Sequence, residues 1–170
     1  MDTIGLIYGS DTGMTEEVTH NLIDISNLDI DVIEAEVVKK SDFNRYNKLI
    51  LGLSTWYDGD LQSDWENFFD EFETIDFSGK TVALYGLGDQ YGYGEYFIDG
   101  VGILATTIIQ NGGTVIGKWP IEGYDFTESK AKIEEEDLFY GLALDEDNQP
   151  ELTGDRLQQW VAQIEEEFDN

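Results

Sequence analysis

The chain has 170 residues, and its 37 acidic and 9 basic side chains give a formal net charge of −28. A chain so acidic, with no basic stripe, repels phosphate backbones, which argues against nucleic-acid binding. With no cysteine and a single histidine, His20, it lacks disulfides and thiolate metal sites and has little capacity for imidazole chemistry.

The first predicted element is a strand near residues 3–8, followed by a loop at residues 9–15 and then a helix. Apolar residues recur at the spacing of one helical face between residues 18 and 25. The hydroxyls and backbone N–H groups of the loop would converge at the positive end of the helix dipole, which favours an anion. Because no Lys or Arg precedes Lys39, we expect neutral donors to hold a phosphate, as suits a permanently bound cofactor.

This loop matches neither of two common phosphate-binding motifs. A Walker A loop ends in Gly-Lys-Ser/Thr, whereas Met14 and Thr15 follow Gly13 here. A dinucleotide fingerprint needs G-x-G-x-x-G, whereas Gly9 and Gly13 have no third glycine in register. An ordinary strand-to-helix turn rich in capping residues also fits the loop when it is taken alone.

Further strands are predicted near residues 30–36, 47–53, 81–87 and 114–118, with another strand-like segment at 138–144. Three helical faces between or after them are assigned to the core: Trp65, Phe68, Phe69 and Phe72; Phe97, Val101, Leu104 and Ile108; and Leu157, Val161, Ile164 and Phe168. The alternation of strands and helices predicts an α/β fold in which helices cover both faces of a parallel sheet, with right-handed crossovers.

Two aromatic-rich loops follow the third and fourth predicted strands. Residues 54–61 read Ser-Thr-Trp-Tyr-Asp-Gly-Asp-Leu, and residues 88–94 read Gly-Asp-Gln-Tyr-Gly-Tyr-Gly. In an open parallel sheet such loops lie together at the carboxyl edge, where ligands bind. A phosphate site beside them suits a flat ring system with a phosphorylated tail. For either loop alone, aromatic packing over the sheet edge is an equal alternative.

In order and separation, the three loops resemble those of the flavodoxins, and the similarity extends over essentially the whole chain. Residues 119–126 and 141–149 resemble the insertion that divides the fifth strand in long-chain bacterial flavodoxins. The resemblance implies a flavodoxin-like doubly wound five-stranded parallel sheet of order 2-1-3-4-5, with an insertion in the fifth strand. It also implies noncovalently bound FMN. Ser54 departs from the family, because many members have proline there.

The resemblance extends to individual residues. The expected cofactor-binding residues are Ser10, Asp11, Thr12, Gly13, Met14, Thr15, Ser54, Thr55, Trp56, Tyr57, Asp58, Gly59, Leu87, Gly88, Asp89, Tyr93 and Asp145. Within this set, Ser10 and residues 12–15 look like phosphate ligands, with Thr55 nearby. Trp56 looks like the inner residue that stacks on the flavin, and Tyr93 like the outer one.

The remaining expected residues look like those that meet other parts of FMN. Gly88 and Asp89 resemble the residues at the pyrimidine edge, and Asp145 resembles one that meets the ribityl hydroxyls. The Tyr57-Asp58 peptide takes the place where flavodoxins rotate a carbonyl towards flavin N5 on one-electron reduction. Since Asp58 and the following glycine tolerate unusual dihedral angles, we expect this turn to have two states.

Cations are absent from both aromatic loops, since no Lys or Arg lies between Lys48 and Lys80 or between Lys80 and Lys118. Neither loop can therefore pair with an anionic reduced flavin, so full reduction is expected to be unfavourable. We interpret the chain as a low-potential one-electron carrier without its own substrate, because the cofactor carries the chemistry.

The acidic cluster from Asp58 to Glu71 favours basic redox partner proteins, such as a flavodoxin reductase and electron-accepting enzymes. Solubility or a saline habitat explains the same charge equally well.

Three other functions are considered. An FMN-dependent quinone or azo reductase on a similar fold needs room for an organic acceptor over the ring, which Tyr93 is expected to fill. A cofactor-free interaction module, or an acidic mimic of nucleic acid, leaves the hydroxyl-rich loop unexplained. A carboxylate-pair hydrolase using Asp58 and Asp60 has little support, because alternate acidic residues are expected on the solvated surface of so acidic a chain.

Length and hydropathy predict one domain over residues 1–170, because the chain suffices for one substantial core and is short for two ordinary domains. It contains no run of eighteen apolar residues and opens into a strand-like segment without a basic leader. We therefore expect a cytoplasmic monomer without membrane insertion.

Overall fold

Strands and helices alternate along residues 2–170, which the computed structural model describes. The strands are β1 (Ile4–Tyr8), β2 (Ile30–Glu34), β3 (Lys48–Trp56), β4 (Asp60–Leu61), β5 (Thr81–Leu87), β6 (Thr114–Ile116), β7 (Trp119–Pro120), β8 (Leu138–Phe139) and β9 (Leu142–Leu144). The helices are α1 (Met14–Ile25), α2 (Ser63–Phe72), α3 (Asp99–Gln110) and α4 (Thr153–Asp169), with short 3-10 helices at Lys40–Arg45 and Pro150–Leu152.

The main sheet has the order β2-β1-β3-β5-β6, and all of these neighbours are parallel. Strand β6 pairs with β5 at residues 81–83, and β9 pairs with β5 at residues 85–87. Because β6 and β9 are two halves of one strand, the order is 2-1-3-4-5, which confirms the predicted sheet. The halves are separated by residues 117–141, which contain the β7–β8 hairpin, so the insertion is confirmed too. Residues 142–144 of the segment at 141–149 belong to the strand itself.

Two clusters of buried apolar side chains cover the two faces of the sheet, because successive side chains of a strand point in opposite directions. The cluster beneath α2 and α3 includes Trp65, Phe72 and Leu104. The cluster beneath α1 and α4 includes Leu22 and Trp160. Helices therefore flank both faces, as the alternating sequence predicts. Within residues 2–170, none of the helices combines the length and apolar character needed to cross a bilayer.

Two residues of the predicted helical faces differ from the others in position. Ile25, the last residue of α1, is 40% exposed. Phe97 is buried, but it precedes α3 rather than belonging to it. Ile98 has a left-handed backbone, with φ of 46°, and helical geometry starts only at Asp99.

The predicted loop at residues 54–61 is in fact a hairpin. Strand β3 continues to Trp56, and β4 returns beside it, so that Thr55 pairs with Leu61 and Trp56 with Asp60. The turn between them contains two left-handed residues, Tyr57 with φ of 47° and Gly59 with φ of 89°. Since each pairing involves a polar residue, the segment carries no apolar alternation that would indicate a strand.

Candidate functional site

A cavity of about 270 Å³ opens at the carboxyl edge of the sheet, between the ends of β1, β3 and β5. It is lined by Thr12, Met14, Thr15, Ser54, Thr55, Trp56, Leu87, Gly88, Asp89, Tyr93, Glu146 and Asp147. The structure thus brings residues of all three predicted loops to one place. A larger depression, of about 730 Å³, lies between Tyr96 and Lys130, but none of the predicted site residues lines it.

The loop after β1 presents unpaired backbone donors towards this edge. Gly13 lies directly before α1 with φ of 91°, a left-handed conformation that glycine adopts readily because it has no Cβ. Its N–H group donates to Ser10 Oγ at 3.0 Å, so the Ser10 side chain closes the loop. In residues 2–170, the N–H groups of Met14, Thr15 and Glu16 donate to no protein atom. These three donors lie at the positive end of the α1 dipole, where an anion is stabilised.

Asp11 connects this loop to the hairpin. Its carboxylate accepts hydrogen bonds from Trp56 Nε1 at 2.8 Å, Gln62 Nε2 at 3.0 Å and Ser63 Oγ at 2.6 Å. Burial raises the pKa of Asp11, but the hydrogen bonds from Ser63, Gln62 and Trp56 outweigh it and lower the pKa. Asp11 does not line the cavity, and its contact with a cofactor stays a prediction. Its carboxylate fixes the indole of Trp56.

Sequence reasoning missed Gln62 and Ser63 as members of this network. Gln62 is fully buried, and its Oε1 accepts from the N–H group of Trp65 at 3.3 Å, so it caps α2. The polar pair directly before the apolar face of α2 was the available signal, since helix caps are polar. Its link to Asp11 depends on tertiary packing, because Asp11 is remote in sequence.

Ser54 and Thr55 line the cavity at the end of β3. Ser54 Oγ is buried without a hydrogen-bond partner within the described chain. A buried polar group left unpaired costs about 1–3 kcal/mol, so this hydroxyl suits a ligand that supplies a partner. Thr55 Oγ1 accepts from the N–H group of Gly100 at 2.9 Å, which leaves its own proton free to donate.

The turn residues 57–59 lie beyond Trp56, outside the lining of the cavity. Tyr57 is 65% exposed and lines a neighbouring depression that shares Thr12 and Trp56 with the cavity. Asp58 is exposed. A Cβ added at Gly59 would lie 2.8 Å from Asp99 Oδ2, so the start of α3 packs directly against the turn.

Asp89 lines the cavity and also orders its own loop. Its Oδ1 accepts from the N–H groups of Tyr91 at 3.1 Å and Gly92 at 2.7 Å, and from Asn148 Nδ2 at 2.7 Å. Burial raises the pKa of Asp89, but the Gly92, Asn148 and Tyr91 donors outweigh it and lower the pKa. The carboxylate is therefore held ionised on the cavity wall.

Asp145 lies beneath the cavity rather than on its wall. It is fully buried; Oδ2 accepts from Gln90 Nε2 at 2.8 Å, and Oδ1 accepts from the N–H group of Asn148 at 3.0 Å. Its oxygens join two loops, and the expectation that it meets hydroxyls of a ligand stays a prediction. Its neighbours Glu146 and Asp147, which sequence reasoning missed, line the cavity instead.

The cavity has an acidic wall. Asp89, Glu146 and Asp147 line it, and no Lys or Arg is among the described residues that do. Burial raises the pKa of Asp147, and the nearby carboxylates of Asp89 and Asp145 raise it further. Additional negative charge inside this cavity is therefore disfavoured.

The flavodoxin family model matches residues 6–160 of the chain. A flavodoxin of Nostoc sp. is 49% identical over 169 residues, which cover 97% of this chain and 96% of the relative. Flavodoxin 1 of Escherichia coli is 46% identical over 169 residues, which cover 99% and 96%.

Among solved structures, Fusobacterium nucleatum flavodoxin bound to flavin mononucleotide superposes with a TM-score of 0.91 and 35% identity, covering 98% of this chain and 99% of that one. The residues matched by the family model include the three loops and residues 117–141.

Proposed function

Because the chain belongs to the flavodoxin family, we propose that it binds FMN noncovalently and carries electrons one at a time between redox proteins. It is an electron-transfer protein rather than an enzyme with its own substrate. The observation that carries this proposal is the cavity at which the hydroxyl-rich loop meets the two aromatic segments. The similarity to an FMN-bound flavodoxin over 98% of the chain supports it.

The neutral donors around the cavity fit a phosphate group. The free N–H groups at the start of α1 and the side chains of Thr12 and Thr15 would hold the phosphate. The unpaired hydroxyl of Ser54 would gain a partner there. Ser10 would act through the loop geometry that it fixes by accepting from Gly13.

Trp56 and Tyr93 would flank the isoalloxazine ring. The indole of Trp56 is fixed by Asp11, whereas Tyr93 is 43% exposed and its N–H group donates to the Asp89 carbonyl at 3.0 Å. Leu87, Gly88 and Asp89 would meet the pyrimidine side of the ring. FMN, when bound, supplies reversible uptake of electrons.

The acidic residues around the cavity would determine the free energy of placing negative charge in it. Glu146 and Asp147 add negative charge to a wall that has no Lys or Arg among its described residues, so these residues would disfavour a second negative charge on bound FMN and would lower its potential. The turn at residues 57–59 would present a backbone carbonyl to the N5 proton after the first electron. Gly59 supports a change of peptide orientation there, because glycine populates both signs of φ.

Acidic side chains at Asp58 and Asp60 surround the exposed Tyr57 beside the cavity. We propose that donors and acceptors, such as a flavodoxin reductase, dock through basic faces, since opposite charge steers association. The association rate with a basic reductase should fall as ionic strength rises, and a salt-independent rate would contradict this. We also propose a monomeric, cytoplasmic protein, which size-exclusion chromatography and cell fractionation test.

Stepwise anaerobic reduction of the FMN-reconstituted protein, followed by visible absorption, tests the main proposal. A yellow protein that takes up its two electrons in separate steps supports a one-electron carrier. Uptake of both electrons in one step, together with steady NAD(P)H oxidation by the isolated protein with a quinone, would favour a reductase instead. A protein that remains colourless after incubation with FMN would overturn the proposal.

A further inference from the structure

A buried chain of hydroxyl groups joins the sheet to the first turn of α1. Thr19 Oγ1 donates to the Thr15 carbonyl at 2.7 Å and also forms a hydrogen bond with the Tyr85 hydroxyl. Thr19 and Tyr85 are both fully buried. This series of hydrogen bonds therefore runs from β5 through α1 to Thr15, which lines the cavity.

The direction of these hydrogen bonds follows from the number of protons. Thr19 has one hydroxyl proton, which it donates to the Thr15 carbonyl, so the proton between Thr19 and Tyr85 belongs to Tyr85. Burial raises the pKa of the Tyr85 phenol above its ordinary value. Tyr85 is consequently a permanent donor at neutral pH, and each bond polarises the next in the same direction.

Gly52 of β3 leaves room for the Tyr85 ring. A Cβ added at Gly52 would lie 2.1 Å from Tyr85 Cζ, so a larger residue there would displace the phenol. The ring also contacts Trp160 of α4 edge to face, with centroids 6.0 Å apart. The hydroxyl of Tyr85 is therefore held at α1 from two sides.

The series of hydrogen bonds ends at the peptide group that joins Thr15 to Glu16. The N–H group of Glu16 belongs to that peptide and is one of the three free donors at the start of α1. A peptide whose carbonyl accepts a strong hydrogen bond becomes a better N–H donor, and its orientation is fixed. The buried hydroxyls thus act on a backbone group at the positive end of α1, directly after the cavity-lining Thr15.

We propose that Tyr85 is a positioning residue for phosphate recognition, acting through Thr19 on the first turn of α1. This inference rests on the proposed function and names a determinant of ligand choice within it. Tyr85 does not touch the ligand. Its hydroxyl should therefore favour a ligand that carries a phosphate over the same ligand without one.

Titration of the apoprotein with FMN and with riboflavin, followed by flavin fluorescence, tests this. Loss of one hydrogen bond in Tyr85→Phe should weaken FMN binding about threefold to tenfold and change riboflavin binding less than about twofold. Thr19→Val should have the same effect, and the double variant should be no weaker than either single variant. Thr19→Ser, which keeps the hydroxyl, should bind FMN like the wild type.

Tyr46→Phe is the matched control, because it removes a buried phenol hydroxyl bound to Asp31 and Arg45, away from the cavity. An unchanged ratio of FMN to riboflavin affinity in Tyr85→Phe, or an equal loss for both flavins, would overturn the inference. If Tyr85→Phe fails to fold, the comparison of Thr19→Val with Thr19→Ser decides. A wild-type protein that does not prefer FMN to riboflavin contradicts the proposed phosphate site itself.

Discussion

Aspartates in the loops around the cavity hold one loop to another. Asp11 binds the hairpin, and Asp145 joins the loop at residues 88–94 to Asn148. Residue type and loop position predicted that these carboxylates lie at the site. They could not predict which donors each oxygen binds, because those donors come from segments remote in sequence. Ser54 shows the opposite outcome, since the residue lines the cavity and its buried hydroxyl has no hydrogen-bond partner within residues 2–170.

Asp11 should contribute a pH-dependent part of the stability. Its pKa is lowered in the folded protein because hydrogen bonds outweigh burial, so the stabilisation is present above the ordinary aspartate pKa of about 3.9. It is lost as pH falls through the lower folded-state pKa. The difference in unfolding free energy between the wild type and Asp11→Asn, measured with urea, should therefore shrink below about pH 4. Asp24→Asn, at an exposed position of α1, is the control. A difference in unfolding free energy between the wild type and Asp11→Asn that stays constant with pH would contradict the prediction.

Gly59 should tolerate no side chain. Its φ is 89°, and an added Cβ would meet Asp99 Oδ2 at 2.8 Å. Gly59→Ala should destabilise the apoprotein by about 1–3 kcal/mol through backbone strain and this contact. Gly79→Ala has a similar φ of 79° but open space around the Cβ, so it isolates the strain. If urea unfolding gives Gly59→Ala and Gly79→Ala equal losses of unfolding free energy, the contact with Asp99 contributes nothing to the effect.

At the scale of elements, a parallel sheet covered by helices was predictable from the sequence pattern, because alternating apolar segments and helical faces identify each strand and its covering helix. The strand order and the interrupted fifth strand were predicted from the resemblance. The hairpin of β3 and β4 was not, because two residue pairs leave no periodic pattern. The insertion was recognised by resemblance alone. Its packing against Phe97 could not be read from spacing, since Phe97 precedes α3 and pairs with aromatics far along the chain.

The insertion should stabilise the fold without contacting the cofactor. Phe139 is fully buried and packs against Phe97 and Phe126, none of which lines the cavity. Phe139→Ala should lower the unfolding free energy of the apoprotein by about 3–5 kcal/mol. FMN affinity measured well below the unfolding transition should stay within about threefold, because the hydrogen bonds of the loops persist. Ile109→Ala, at a side chain that is 46% exposed, is the control. An equal loss of unfolding free energy in that variant would contradict the stabilising role of the aromatic side chains around Phe139.

At the scale of the whole molecule, negative charge is almost unopposed by ion pairs. Within residues 2–170, the ion pairs are Arg45 with Asp42 and Lys48 with Asp2, whereas the chain has 37 acidic residues. Like charges at this density repel one another across the compact state and oppose folding. The same field would draw basic partners to the exposed tyrosines beside the cavity.

Screening of the repulsion between acidic side chains by salt should therefore stabilise the folded protein. The melting temperature of the apoprotein should rise by several degrees between about 20 mM and about 500 mM NaCl, because the Debye length becomes shorter than typical surface charge separations. A variant in which the exposed Glu134, Glu135 and Glu136 are all changed to Gln should melt higher at low salt and respond less to NaCl. A melting temperature independent of salt would show that self-repulsion is negligible.

The split fifth strand makes the insertion a removable module. Ile116 lies opposite Ala83 and Leu142 lies opposite Tyr85, so Leu84 alone separates the two pairings on β5. A chain in which one residue replaces residues 117–141 would keep the register of both pairings on β5. Phe97 would lose its aromatic neighbours, and the buried Trp160 and Asp99 would lose their hydrogen-bond partners Gly117 and Lys130, so these three residues would need compensating changes. The position is therefore a natural splice point, at which segments can be exchanged between molecules of this architecture without disturbing the strand that receives them.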